Sequence, residues 1–294
     1  MIVYGAEDTG VLDYISFIKK EATKGFYNIK SINQIDRIKN KISLVITGSA
    51  FKRTSLDQKI IRWSKKKNIL SVSIVDHWYN FKERFINKFN LPDYIFLNDK
   101  ASFEKIKSLH PSIKSKLIVG GNPIFTYFKK KIKLKKTKKK KIIFFVSEKL
   151  SKKFETQKII FIKKILQLLP TDYKLYIKLH PREKNNTYSL IKSKKVSIFR
   201  EYSFKQILLD SKIIIGIRSI LLIKCAIFRD DILSLNIKDL QEKDFIPYQK
   251  KWLYPVENIL NFKNIFREKV KISNLKPNIY FNNRLFNLIK INLL

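Results

Sequence analysis

Scarce polar residues stand at a small set of turns in this sequence, and those turns are where side chains of their types could do chemistry. His180 follows the run Leu175-Tyr176-Ile177-Lys178-Leu179, and Pro181 stops that run from continuing as regular sheet. Arg182 comes next, while Arg218 and Ser219 close a second apolar run, "KIIIGIR". Such a set suits an anion. A helix starting at Ser219 would offer unpaired N–H groups and a favourable dipole, and imidazole and guanidinium groups would add charge-assisted hydrogen bonds. Taken alone, Ser219 also reads as a plain N-cap and His180 as a hydrogen-bonded structural histidine. Taken together at neighbouring strand ends, with Lys178 beside them, they favour a phosphate.

A second concentration is "SIVDHWYNFKERF", where Asp76 ends an apolar run and His77 follows it. A carboxylate or an imidazole can deprotonate a hydroxyl near neutral pH after a modest pKa shift. The plainer reading is that Asp76 caps the next turn while Trp78, Tyr79 and Phe81 are core. "AEDTG" supplies Glu7 and Asp8 as rival carboxylates beside Gly10, more in keeping with a helix start than with a base. "GGNP" adds Gly121 and Asn122 at another turn. There is no CxxC, no histidine pair at helical spacing and no aspartate ladder, so a metal is not expected. His110 follows a helical stretch and reads as surface.

The elements that would position these residues alternate. "MIVYG", "ISLVITG", "ILSVSIVD", "YIFLND" and "KLIVGGNP" read as strands, and "TGVLDYISFIKKEA", "SLDQKIIRWSKKK" and "ASFEKIKSL" as amphipathic helices between them. After the lysine-rich stretch 129–141 the alternation starts afresh. "KIIFFVSE", "YKLYIKLHP", "VSIFRE", "KIIIGIR" and "DILSLN" read as strands, with helices at "FETQKIIFIKKILQLL", "SFKQILLDS" and "SILLIKCAIF". Alternation of this kind implies parallel strands with crossover helices. The expected fold is α/β: two Rossmann-like doubly wound parallel-sheet domains facing a central cleft. They would comprise residues 1–125, a lysine-rich linker at 126–141, and residues 142–294 with a C-terminal helix at "FNNRLFNLIKI". In such sheets ligands bind beyond the carboxyl ends of the strands. Five of the seven glycines (Gly5, Gly10, Gly48, Gly120 and Gly121) lie in or beside those ends or at the helix start.

At 294 residues, 45% hydrophobic and 13% aromatic, the chain can bury two ordinary cores, which excludes a disordered protein. The single cysteine, Cys225, excludes an internal disulfide and fits a reducing compartment. No secretory pattern opens the sequence and no apolar run reaches membrane-spanning length, so a cytoplasmic protein is expected. The formal net charge of +38 attracts anions, whether nucleotides, anionic lipid heads or nucleic acid. Lysine is spread along the whole chain, in a sequence rich in Lys, Ile, Asn and Phe, so part of that charge is compositional background. The run 129–141 reads as a solvated linker, with peripheral contact to the inner face of the cytoplasmic membrane as the alternative.

With "GGNP", "KLHPRE" and "GIRS" placed on two Rossmann-like halves, roughly residues 1–240 resemble the GT-B glycosyltransferases of bacterial surface polysaccharide biosynthesis. The kin are capsule and lipopolysaccharide transferases, sialyltransferases with a His-Pro motif, and CDP-glycerol glycerophosphotransferases. The resemblance implies metal-independent transfer from a nucleotide-activated sugar donor to a glycan or lipid-linked acceptor, with no cofactor and no nucleic-acid partner. His180 would contact the donor phosphate, Ser219 would match the serine of the phosphate-binding helix, and Asn122 would lie at the edge of the nucleotide site. Asp76, or after it His77, would be the base. Lys224 departs from the pattern: it stands near the place where many relatives carry a ribose-binding glutamate. "EDTG" matches the sialyltransferases' acidic motif only loosely. The alternatives are a UDP-N-acetylglucosamine 2-epimerase-like enzyme, a non-catalytic member of the same fold, and a basic nucleic-acid-binding protein.

Overall fold

The computed structural model describes residues 1–21, 25–38, 42–50, 52–85, 90–134, 139–237, 239–240 and 245–267, together with 275, 277, 282, 284, 285 and 287. The chain divides into two units, unit 1 formed by Met1–Phe128 with Ile279–Leu294 and unit 2 by Lys129–Asn278.

In unit 1 the apolar runs pair in parallel. Along the chain come β1 (Ile2–Gly5), α1 (Thr9–Glu21), β2 (Phe26–Asn28), α2 (Asn33–Arg37), β3 (Leu44–Thr47), α3 (Leu56–Lys66) and β4 (Leu70–Val75). Then follow α4 (Phe81–Arg84), β5 (Tyr94–Leu97), α5 (Lys100–Leu109), β6 (Lys116–Val119) and α6 (Pro123–Lys131). The sheet order is β2-β1-β3-β4-β5-β6, every pairing parallel. Strands β1 and β3 are buried at every residue, as a sheet covered on both faces requires. Ile2, Leu44 and Ile46 pack on one face against Val11, Tyr14, Ile15 and Ile18 of α1. Val3 and Val45 pack on the other against Ile35 and Ile60. This is the two-residue strand period meeting the helical stripe.

Unit 2 comprises β7 (Ile142–Val146), α7 (Lys152–Leu168), β8 (Lys174–Lys178), β9 (Val196–Phe199), α8 (Phe204–Asp210), β10 (Ile213–Gly216) and α9 (Ile220–Ala226). It ends with β11 (Ile232–Leu235), α10 (Ile246–Gln249), β12 (Tyr254–Val256) and α11 (Ile259–Arg267). Its parallel sheet has the order β12-β11-β10-β7-β8-β9. In this sheet the order reverses between β7 and β10, the kind of place where open α/β sheets bind ligands. The two Rossmann-like α/β units expected from the sequence are therefore present.

Several details differ from the sequence reading. The edge strands β2 and β12 are three residues each and carry no legible alternation. Lys129, Lys130 and Lys131, read as linker, form the last turn of α6, where a cationic side chain is favoured by the helix dipole. Further along the same run, Lys139 pairs with Asp231 at 3.1 Å, Lys140 with Asp210 at 3.0 Å, and Lys141 with Asp172. The sequence division kept 142–294 together, whereas Asn282 donates to the Gly120 carbonyl at 3.0 Å and to the Val119 carbonyl at 2.9 Å. Leu285 is fully buried in the unit 1 core. The helix expected at 281–291 lies largely outside the described residues. Among the described residues, no helix is long and apolar enough to cross a membrane.

Candidate functional site

The turn after β8 is built around one carboxylate. Glu183 Oε2 accepts the His180 backbone N–H at 2.6 Å, and the Glu183 N–H returns to the His180 carbonyl at 2.9 Å. The His180 ring is fixed from within the same turn, its Nδ1 accepting the Arg182 N–H at 3.1 Å. An Nδ1 that accepts carries no proton, so the neutral ring presents Nε2–H as a donor. Burial, and then the Arg182 charge, push the His180 pKa below its ordinary value, which keeps the ring neutral at pH 7.

Beneath the turn lies a buried charged network. Lys158, on α7, has no exposed surface and donates to Glu183 Oε1 at 2.6 Å and to the Glu148 carbonyl at 2.8 Å, with Glu155 at 2.7 Å. Ser147, just after β7, donates to Glu183 Oε1 at 2.7 Å and shares a hydrogen bond with the Tyr188 hydroxyl. Burial, with the Glu183 charge adding to it, raises the Tyr188 pKa well above its ordinary value.

At the point where the strand order reverses, Glu148 follows β7 and Arg218 follows β10. Glu148 Oε2 accepts the Arg218 N–H at 3.0 Å and its Oε1 accepts from Nη2 at 3.1 Å. Arg218 Nη1 also donates to the Leu240 carbonyl at 3.1 Å, so this guanidinium is held by the protein itself. Ser219 is the N-cap of α9, its Oγ accepting the Leu221 N–H at 3.3 Å. Arg182 is exposed. Lys178 is half-buried, and burial lowers its pKa. Lys224 is half-buried on α9.

In unit 1 the corresponding reversal lies between β1 and β3, and the loops after β1 and β4 bring Asp8, Asp76 and His77 together. One ligand atom from each lies within 4.8 Å of the others, a set that could hold a metal ion or move protons. His77 Nε2 is 3.4 Å from Asp76 Oδ2, and Asp76 has no exposed surface. Sequence spacing could not show this set, because the Asp8 loop and the Asp76-His77 pair are separated by β2, β3 and their helices. Gly10, in the first turn of α1, is required here: a β-carbon at that position would lie 2.2 Å from Asp76 Oδ2.

Two residues that sequence reasoning missed frame this cluster. Arg84 is buried; its Nη1 donates to Ser49 Oγ at 2.6 Å and to the Ser49 carbonyl at 3.1 Å, and lies 4.0 Å from Asp8 Oδ2. Asp57, in the first turn of α3, is fully buried; its Oδ2 accepts the Glu7 N–H at 3.3 Å while Glu7 Oε1 accepts the Leu56 N–H at 2.9 Å. Burial pushes the Asp57 carboxyl up to about 7, the nearby Asp8 and Glu7 charges adding to a rise that the Glu7 N–H opposes.

Gly121 and Asn122 also belong to unit 1. Gly121 takes a φ of 71°, and its carbonyl accepts from the Tyr14 hydroxyl at 3.1 Å. Asn122 is buried, its Oδ1 accepting the Ile124 N–H at 3.0 Å at the start of α6 and its amide reaching Asn98 Oδ1 at 3.3 Å. His110, read as surface, is half-buried: Nε2 lies 3.0 Å from the Phe81 carbonyl and the ring meets Phe85 edge-on.

No family model matches the sequence and no curated protein is similar to it. Solved structures are similar in shape. The S. aureus MnaA–UDP co-structure has a TM-score of 0.73 at 13% identity, covering 99% of this chain and 96% of that one. UDP-GlcNAc 2-epimerase from Neisseria meningitidis, bound to UDP-GlcNAc, has a TM-score of 0.66 at 13% identity, covering 99% and 98%. The wall teichoic acid polymerase TagF has a TM-score of 0.51 at 12% identity, covering 92% and 80%. At such identities the likeness is one of fold: this chain has a GT-B-like pair of Rossmann-like domains.

Proposed function

We propose that this chain is a nucleotide-sugar enzyme of the UDP-sugar 2-epimerase-like kind. Unit 2 binds the nucleotide through its phosphates, and the Asp8–Asp76–His77 group of unit 1 supplies the acid–base chemistry. The observation that carries this reading is the gathering of those three groups within 4.8 Å. Inverting a sugar carbon by removing a proton and returning it to the opposite face needs more than one acid–base group. The fold neighbours solved with UDP or UDP-GlcNAc support the substrate class. In unit 2 the neutral His180 ring offers Nε2–H to a phosphate oxygen, and Lys178 at the end of β8 and Arg182 on the turn supply positive charge.

A second reading is transfer of the sugar to a glycan or lipid-linked acceptor. It is favoured by the 3.4 Å Asp76–His77 contact, a pairing able to deprotonate an acceptor hydroxyl. Incubating the full chain with UDP-GlcNAc and no acceptor, followed by proton NMR, separates the two. The first reading expects an epimeric UDP-sugar to accumulate and Asp76→Asn to abolish it. No conversion without acceptor, and UDP release once a glycan acceptor is added, would establish transfer instead. The nucleotide assignment is checked by calorimetry with UDP, which His180→Ala should no longer bind while keeping the native circular-dichroism spectrum.

A further inference from the structure

The turn that carries His180 is clamped from two sides. On the inner side Glu183 Oε2 holds the His180 N–H at 2.6 Å while Oε1 takes Lys158 at 2.6 Å and Ser147 at 2.7 Å. On the outer side Arg200, just beyond β9, donates to the Pro181 carbonyl at 3.3 Å, the Glu183 carbonyl at 2.8 Å and Asn185 Oδ1 at 2.6 Å. The outer clamp is exposed and is the weaker kind. The inner one is not: Glu183 is 3% exposed and Lys158 0%.

Stability alone is a poor reason for such an arrangement. A buried ion pair gains little over apolar residues of the same volume, because desolvating both charges offsets their attraction. What the pair does supply is direction. A carboxylate anchored by an ammonium and a hydroxyl leaves its second oxygen one orientation, and that oxygen fixes the backbone of His180. With the backbone fixed, the Arg182 N–H reaches His180 Nδ1, and the only proton left on the ring is at Nε2.

We infer that Glu183 is the positioning residue of the nucleotide site: anchored by Lys158 and Ser147, it sets the turn in which His180 presents Nε2–H to a phosphate oxygen. This rests on the reading that unit 2 binds the nucleotide through His180. Glu183 itself touches no ligand; it acts through the geometry of His180. The phosphate is met by a neutral donor on a rigid turn, so the ligand's charge is balanced by Lys178 and Arg182 rather than by the imidazole.

The test uses the full chain labelled with ¹⁵N. Two variants are compared with wild type: the isosteric Glu183→Gln, and a combined Glu155→Gln, Lys158→Met, Glu183→Leu variant that removes the buried charges together. Long-range proton–nitrogen spectra report the His180 tautomer, identified by the signal lost in His180→Ala, and calorimetry reports UDP affinity. The expected result is a single Nε2–H tautomer in wild type. The combined variant should melt cooperatively, show mixed tautomers and bind UDP about tenfold or more weakly, the loss expected when a charge-assisted hydrogen bond is removed. Glu183→Gln should fall between the two. If either folded variant keeps both the wild-type tautomer and the wild-type affinity, the inference is overturned. If His180→Ala binds UDP normally, the nucleotide reading fails, while the tautomer spectra still decide whether Glu183 sets the ring.

Discussion

Glu7 and Asp57 hold each other reciprocally: the Asp57 carboxylate accepts the Glu7 N–H at 3.3 Å, and the Glu7 carboxylate accepts the N–H of Leu56, the residue before Asp57, at 2.9 Å. The clasp ties the loop after β1 to the start of α3 and so sets where the next residue, Asp8, can stand.

Its pH dependence follows from burial. The Asp57 carboxyl titrates at about 7 in the folded chain, against an ordinary value of 3.8. Between those values the folded chain keeps a proton that the unfolded chain has released, so the contribution of Asp57 to stability is fullest below about pH 4 and is lost as pH rises through about 7. The loss above pH 7 is on the order of 4 kcal/mol. Asp57→Asn keeps an acceptor for the Glu7 N–H and cannot ionise. Its melting temperature should exceed that of wild type at pH 8, and its profile from pH 5 to 8 should be flatter; parallel profiles would refute the assignment.

Gly10→Ala should separate activity from folding. Its added carbon would press on Asp76 Oδ2 from 2.2 Å, so the carboxylate or the first turn of α1 has to move. Overpacking of this sort costs about 1–3 kcal/mol. A modest fall in melting temperature is expected together with loss of the proposed UDP-GlcNAc conversion, measured on the same preparation.

Arg84→Met tests the other residue that frames Asp8. The substitution leaves Ser49 without its two charged hydrogen bonds and Asp8 without a neighbouring cation. A loss of about 2–4 kcal/mol is expected in urea unfolding, with Arg84→Lys recovering part of it.

Cys225 has no exposed surface, and burial pushes its thiol up to about 12. A thiol so held is neither nucleophilic nor reachable. Maleimide labelling should be absent in native buffer and complete in denaturant; rapid native labelling would show that α9 opens.

Much of this was legible in the sequence because parallel strands covered on both faces leave unbroken apolar runs. "IIFFV" and "LVIT" became β7 and β3 nearly as read. Strands β2 and β12 were not, since "FYN" and "YPV" are too short for a period and lie at sheet edges. His180, Asp76 and His77 could be picked out as candidates because they follow strand ends, beyond which such sheets bind ligands. Arg218 was found for the same reason, but its engagement by Glu148 is tertiary and left no mark on the spacing. Asp57 and Lys158 look like ordinary charged residues on helices; their burial comes from what packs over them. Glu183 did leave a signal, three residues after His180, the spacing at which a carboxylate can return to a backbone N–H, as in a capping box.

Unit 1 is sewn from two distant pieces of chain, with Asn282 and Leu285 joining the piece Met1–Phe128. On the ribosome its six strands emerge first, yet Leu285 cannot reach their core until all of unit 2 has been made. Unit 1 is thus completed only after unit 2 has been synthesised. A chain truncated after residue 128 would expose the apolar surface that Leu285 covers, whereas a probe placed at Leu285 would report the completion of unit 1.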